Sequence, residues 1–166
     1  MGGKTSMAER ERVKWRMRRV ALCGLMLSAI CALPGQVLAQ ESTGAEYLGP
    51  SAPGRPFTPA VRAGDMLYLS GQLGTAADGS LPPDFDTQAR NTLINVAKVA
   101  ALGGATMDDL VKCTVMLADM KMWPRFNEIY VTAFKPGRLP ARSAFGTNGL
   151  ALGGLVELEC IAYKPR

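Results

Sequence analysis

Late in the chain, Val156, Leu158, Cys160 and Ala162 alternate with Glu157, Glu159 and Ile161. A period of two is the pattern of a β-strand buried on one face only. That one strand calls for a sheet with one face covered and the other left free. Glu157 and Glu159 stand on the free face, where two carboxylates are either solvated, as most charged residues are, or turned toward a polar site. The run Leu139-Pro140-Ala141-Arg142-Ser143 offers such a site a fixed cation at the head of a second strand-like stretch.

The rest of the chain supplies the cover. Residues 40–59 are rich in Gly, Pro, Ser and Thr and read as a flexible segment, 40–51, leading into an edge strand. Pro56 and Pro59 bar a central strand there. Met66-Leu67-Tyr68-Leu69-Ser70 is β-prone and runs into a bend at Gly71-Gln72-Leu73-Gly74. From Thr87 the spacing turns helical. Ala89, Leu93, Val96, Ala97 and Ala100 share one face, with Asp86 or Thr87 as the cap and Gly103-Gly104 as the stop. Val111 to Leu117 is a strand. Pro124 suits the first turn of a second helix, whose stripe is Phe126, Ile129, Tyr130, Ala133 and Phe134, ended by Pro136-Gly137. The order is two or three strands, helix, strand, helix, two strands. This predicts an α+β fold with two helices on one face of a mixed sheet. An uncovered opposite face invites self-association.

Residues 1–39 carry seven of the 19 Lys and Arg and two of the 14 Asp and Glu, so the remainder is formally neutral, with 12 of each sign. The basic balance belongs to the leader, and a nucleic-acid surface would need its basic stripe on the domain itself. Lys14, Arg16, Arg18 and Arg19 precede an apolar run of 14 residues, Val20 to Leu33, and then Val37-Leu38-Ala39. This is the layout of a Sec-type signal peptide cleaved after Ala39, giving a periplasmic product with no membrane attachment. The run is shorter than the ~20 residues of a spanning helix. Of the cysteines beyond the leader, Cys113 and Cys160 each lie in an apolar strand-like run. They read as buried thiols, with a bridge open to them only if the two strands are neighbours. The chain has no histidine, which removes His-based triads and His metal sites. Chemistry falls to Arg, Lys, Glu, Asp, Ser, Tyr and backbone groups.

Five stretches in order now carry a likeness: Leu69-Ser70-Gly71-Gln72; Gln88 to Val96; Asp119 with Phe126-Asn127-Glu128-Ile129-Tyr130; Leu139 to Ser143; and Val156 to Ala162. From about residue 52 onward the chain resembles the RidA family, also called the YjgF family, of reactive-intermediate deaminases. The resemblance implies a domain over 52–166 with a chorismate-mutase-like fold. It also implies a homotrimer with an inner barrel and clefts between subunits.

The family hydrolyses 2-imino acids, tautomers of enamines such as 2-aminoacrylate, to 2-keto acids and ammonia, without metal or organic cofactor. By the same resemblance Arg142 holds the substrate carboxylate, and Glu159 positions and deprotonates the attacking water. The Ala144 carbonyl is a second anchor, and Ser70, Gly71 and Phe57 line the cleft. The chain departs from the family at Arg55-Pro56-Phe57, where a tyrosine is usual, and at Ala144, where a cysteine is usual. Asn127 falls to a structural hydrogen bond rather than to a catalytic step. Two other readings stay beside the deaminase: a non-catalytic trimer that binds small carboxylates, and a ribonuclease or translation inhibitor.

Overall fold

A computed structural model describes residues 44–50, 54 and 56–166. The leader, its cleavage site after Ala39, and Arg55 lie outside the described residues. The strands are β1 (Glu46–Leu48), β2 (Ala60–Ala63), β3 (Met66–Leu69), β4 (Gln72–Leu73), β5 (Leu110–Leu117), β6 (Ala141–Gly146) and β7 (Val156–Tyr163). The helices are α1 (Phe85–Leu102), between β4 and β5, and α2 (Trp123–Tyr130), between β5 and β6. The sheet runs β1-β2-β3-β7-β5-β6, with β4 also on β7. Every pairing is antiparallel except β5 with β6, which are joined through α2 and so lie parallel. Part of the segment read as flexible, Glu46–Leu48, is an edge strand paired with β2.

β7 carries the alternation that its sequence predicts. Val156, Leu158, Cys160 and Ala162 are buried, Glu157 and Ile161 half-buried, and Glu159 and Tyr163 exposed. The buried set joins Leu67, Val115, Leu117, Val96 and Phe126 in one core between sheet and helices. Burying a side chain of that size stabilises the fold by about 1.5–3 kcal/mol.

Helix α1 begins two residues earlier than its periodicity suggests. Asp84 is extended and its carboxylate accepts from the Thr87 N–H at 2.8 Å, so Asp84 is the cap and Asp86 lies in the first turn. Ala89, Leu93, Val96 and Ala100 are buried as expected, together with Phe85, Thr92 and the polar Gln88. Gln88 is satisfied on both sides: its amide donates to the Pro82 carbonyl at 2.6 Å, and its oxygen accepts from Leu155 N–H at 2.9 Å. Gly74 passes so close to Gln88 that a β-carbon there would strike the α1 backbone. In α2, Pro124 occupies the first turn, and Phe126, Ile129 and Tyr130 are buried. The helix gives way to a single 3₁₀ turn, Val131–Ala133, before the expected stop at Pro136.

The cysteines correct the sequence reading. Cys113 of β5 and Cys160 of β7 stand opposite one another, 4.1 Å apart at Cα, and form a disulfide. The two strands proved to be neighbours in register, a condition that sequence spacing could not test.

Candidate active site

Register across β7, β5 and β6 decides which residues share a face. Cys113 stands opposite both Cys160 and Arg142, and Thr114 stands opposite both Glu159 and Ser143. Residues paired in this way send their side chains to the same side of the sheet. Arg142 and Ala144 therefore lie on the helix-covered face, and Glu159 lies on the open one. Within one copy of the chain, the residues expected to act together are on opposite sides of a sheet.

On the covered face, the Arg142 guanidinium packs against two rings. Its carbon is 4.5 Å from the centre of the Trp123 ring and 4.4 Å from that of Tyr130. Nη2 donates to Asn127 Oδ1 at 2.6 Å. Among the described residues no carboxylate is ion-paired with Arg142. Trp123, Asn127 and Tyr130 are spaced i, i+4 and i+7, so one face of α2 presents all three. Burial pushes the Tyr130 phenol up to about 12, against the pull of the Arg142 cation, so the ring is neutral near pH ~7. Asn127 makes the structural hydrogen bond expected of it. Trp123 is the residue that sequence reasoning missed; its position one helical turn before Asn127 was the available signal.

On the open face, Glu159 borders a shallow hollow of about 220 Å³ with Tyr68, Lys112, Thr114 and Ile161. Lys112 Nζ donates to Ser143 Oγ at 2.7 Å across this face. Glu157 is half-buried beside it, and burial first, then the Glu159 charge, raises the affinity of its carboxyl for a proton. The Glu157 carboxylate packs against Gly71, in space that any side chain at position 71 would fill.

Gly71 and Phe57 line a groove of about 390 Å³ with Gln72, Leu73, Lys98 and Leu102. Ser70 is committed elsewhere. Its hydroxyl donates to the Thr58 carbonyl at 2.6 Å and its N–H to Pro59 at 2.9 Å, which ties the loop carrying Phe57 to the end of β3. The predicted site residues thus fall in three places: Phe57 and Gly71 in the groove beside α1, Glu159 at the open-face hollow, and Arg142 with Ala144 behind the sheet.

A mixed sheet backed by two helices, with an arginine clamped at its edge strand, defines a small α+β protein of the type the sequence suggests. The chain belongs to the RidA/YjgF family: the family model described as endoribonuclease L-PSP matches residues 49–164. It is similar to the mouse protein named 2-iminobutanoate/2-iminopropanoate deaminase, 39% identical over 111 residues, covering 66% of this chain and 82% of the mouse protein. Among solved structures it is similar to RidA from the Antarctic bacterium Psychrobacter sp. PAMC 21119, with a TM-score of 0.66 and 32% identity, covering 71% of this chain and 98% of that one. Yeast Mmf1 aligns with a TM-score of 0.67 at 29% identity, covering 73% and 99%.

Proposed function

We propose that this chain hydrolyses reactive 2-imino acids and their enamine tautomers to 2-keto acids and ammonia. The observation that carries the reading is Arg142, a cation held rigidly by three neighbours and left without an acidic partner among the described residues. A guanidinium in this state matches the carboxylate of a small organic acid through two parallel hydrogen bonds. The name of the mouse relative supplies the substrate class.

In this mechanism Arg142 fixes the carboxylate and with it the plane of the C=N bond. Glu159, with the Ala144 carbonyl as second anchor, orients a water and takes its proton as oxygen bonds to C2. The nitrogen, protonated in turn, leaves as ammonia while the C2 oxygen becomes a carbonyl. A protonated imine is already electrophilic, so orientation and one proton relay suffice.

Because Arg142 and Glu159 lie on opposite faces, the reading requires assembly. Arg142 and Ala144 of one copy would meet Glu159, Gly71 and Phe57 of another, in the clefts of a homotrimer. The leader supports export, so we place the reaction in the periplasm after cleavage behind Ala39.

The second reading, a carboxylate-binding trimer without turnover, rests on Phe57, which brings no hydroxyl to the groove. The formal neutrality of residues 40–166 favours a small acid over RNA, despite the family description. Ammonia release from 2-iminobutanoate, generated in a coupled assay, tests the proposal. Turnover above the uncatalysed rate is expected. Binding of 2-oxobutanoate with no acceleration would leave the binding protein.

A further inference from the structure

The geometry points to Trp123 and Tyr130 as positioning residues that determine how a carboxylate is held by Arg142, with Trp123 emission as the built-in report of occupancy. The inference rests on the carboxylate-binding part of the proposed function.

A guanidinium is planar, and all five of its N–H groups lie in that plane. The Trp123 ring, its centre 4.5 Å away, and the Tyr130 ring, its centre 4.4 Å away, pack against the Arg142 guanidinium. One position on its edge, Nη2, is taken by Asn127. A carboxylate bound by Arg142 would use the in-plane donors that Asn127 leaves. Among the described residues β6 is the last strand of the sheet, and no further strand restrains Arg142 from beyond. The restraint comes from the two rings together with Asn127. Tyr130 is a core residue, 2% exposed, with a buried hydroxyl that has no hydrogen-bond partner among the described residues. Its substitution would disturb packing first. Trp123 is half-buried, heads its helix and packs against the margin of the core, so changing it disturbs packing less than changing Tyr130.

Losing one ring frees the guanidinium to move and removes one cation–π contact. Because the carboxylate is bound alike in ground and transition states, this cost should fall on binding and not on the chemical step. In the full chain, Trp123→Leu should weaken 2-oxobutanoate binding by calorimetry roughly ten-fold. It should raise KM for 2-iminobutanoate in step and leave kcat within about two-fold. Trp123→Phe restores a ring and should recover most of the affinity. The chain has two tryptophans, Trp15 and Trp123, so a Trp15→Phe background makes Trp123 the sole emitter. Titration with 2-oxobutanoate should then change its emission with the calorimetric Kd.

Unaltered binding in a folded Trp123→Leu chain would overturn the inference, and so would an emission that ignores saturating keto acid. Should Trp123→Leu fail to fold, the single-tryptophan titration and Trp123→Phe decide. If the parent binds keto acid with these responses but turns nothing over, the clamp stands and the deaminase reading falls. If the parent binds no keto acid, both fall.

Discussion

Arg142 and Glu159 should fail differently when changed. Arg142→Ala removes charge-assisted hydrogen bonds of about 1.5–3 kcal/mol each, and Arg142→Lys should also be impaired, since an ammonium has neither the fork nor the flat faces that Trp123 and Tyr130 stack upon. Glu159→Gln keeps the shape and loses the base, which should lower kcat by ~10²–10⁴-fold and leave 2-oxobutanoate binding intact. Calorimetry with 2-oxobutanoate beside turnover of 2-iminobutanoate separates the two. Parent-like behaviour in both variants would end the assignment. Glu157 makes a pH prediction. Its carboxyl holds its proton more tightly in the fold, through burial and then through repulsion by Glu159. Between its unfolded pKa and the raised one, the native state keeps a proton that the unfolded chain has lost. Stability therefore falls as pH rises through that window. Glu157→Gln, fixed neutral, should raise the melting temperature more near neutral pH than near pH ~4, where the native carboxyl is itself protonated. An equal shift at both would contradict this.

Among the elements, the pair β5–β7 carries a covalent tie and α1 a defined start. The disulfide closes a loop with a sequence separation of 47. In the chain-entropy account a bridge of that span limits the unfolded state by about 4 kcal/mol. A Cys113→Ala, Cys160→Ala chain should lose stability of that order in urea unfolding, and reductant should then have no further effect on it. A loss below ~1 kcal/mol would mean that strand pairing alone fixes the register. The same bridge lies in the row Cys160, Cys113, Arg142, so its loss should also loosen the footing of β6. At α1, Asp84→Ala removes the cap on Thr87 N–H and should cost about 1 kcal/mol, whereas Asp86→Ala should leave that cap in place.

Among the described residues one sheet face is left open. Tyr68, Phe145 and Tyr163, 47%, 48% and 50% exposed, share that face with Glu159, Lys112 and Ser143. Large exposed apolar groups gathered in this way mark an interaction surface, which the proposed homotrimer would bury. Light scattering at micromolar concentration should return three times the chain mass. A monomer would separate Arg142 from Glu159 for good, because a single sheet stands between them. Intact-mass measurement of exported protein should find cleavage behind Ala39; a product retaining residues 20–33 would withdraw the periplasmic assignment.

The sequence by itself determined what depends on neighbours along the chain. The period of two at 156–162 and the helical stripes at 89–100 and 126–130 are local patterns, and each became the element it announced, whereas Gln72 and Leu73, read as part of a bend after Ser70, form β4 on β7. From these followed the order of elements and a sheet covered on one face. The tertiary structure decided what depends on which strands become neighbours. Cys113 met Cys160 because β7 was placed beside β5, and the free thiols read from spacing became a bridge. Arg142 and Glu159 fell on opposite faces because β6 pairs with β5 in a register that sets Arg142 beside Cys113 and Ser143 beside Thr114. Trp123 joined Asn127 and Tyr130 around Arg142 because α2 crosses over the strand it precedes. Periodicity reports the face a residue takes within its own element; only the pairing of elements reports what that face meets.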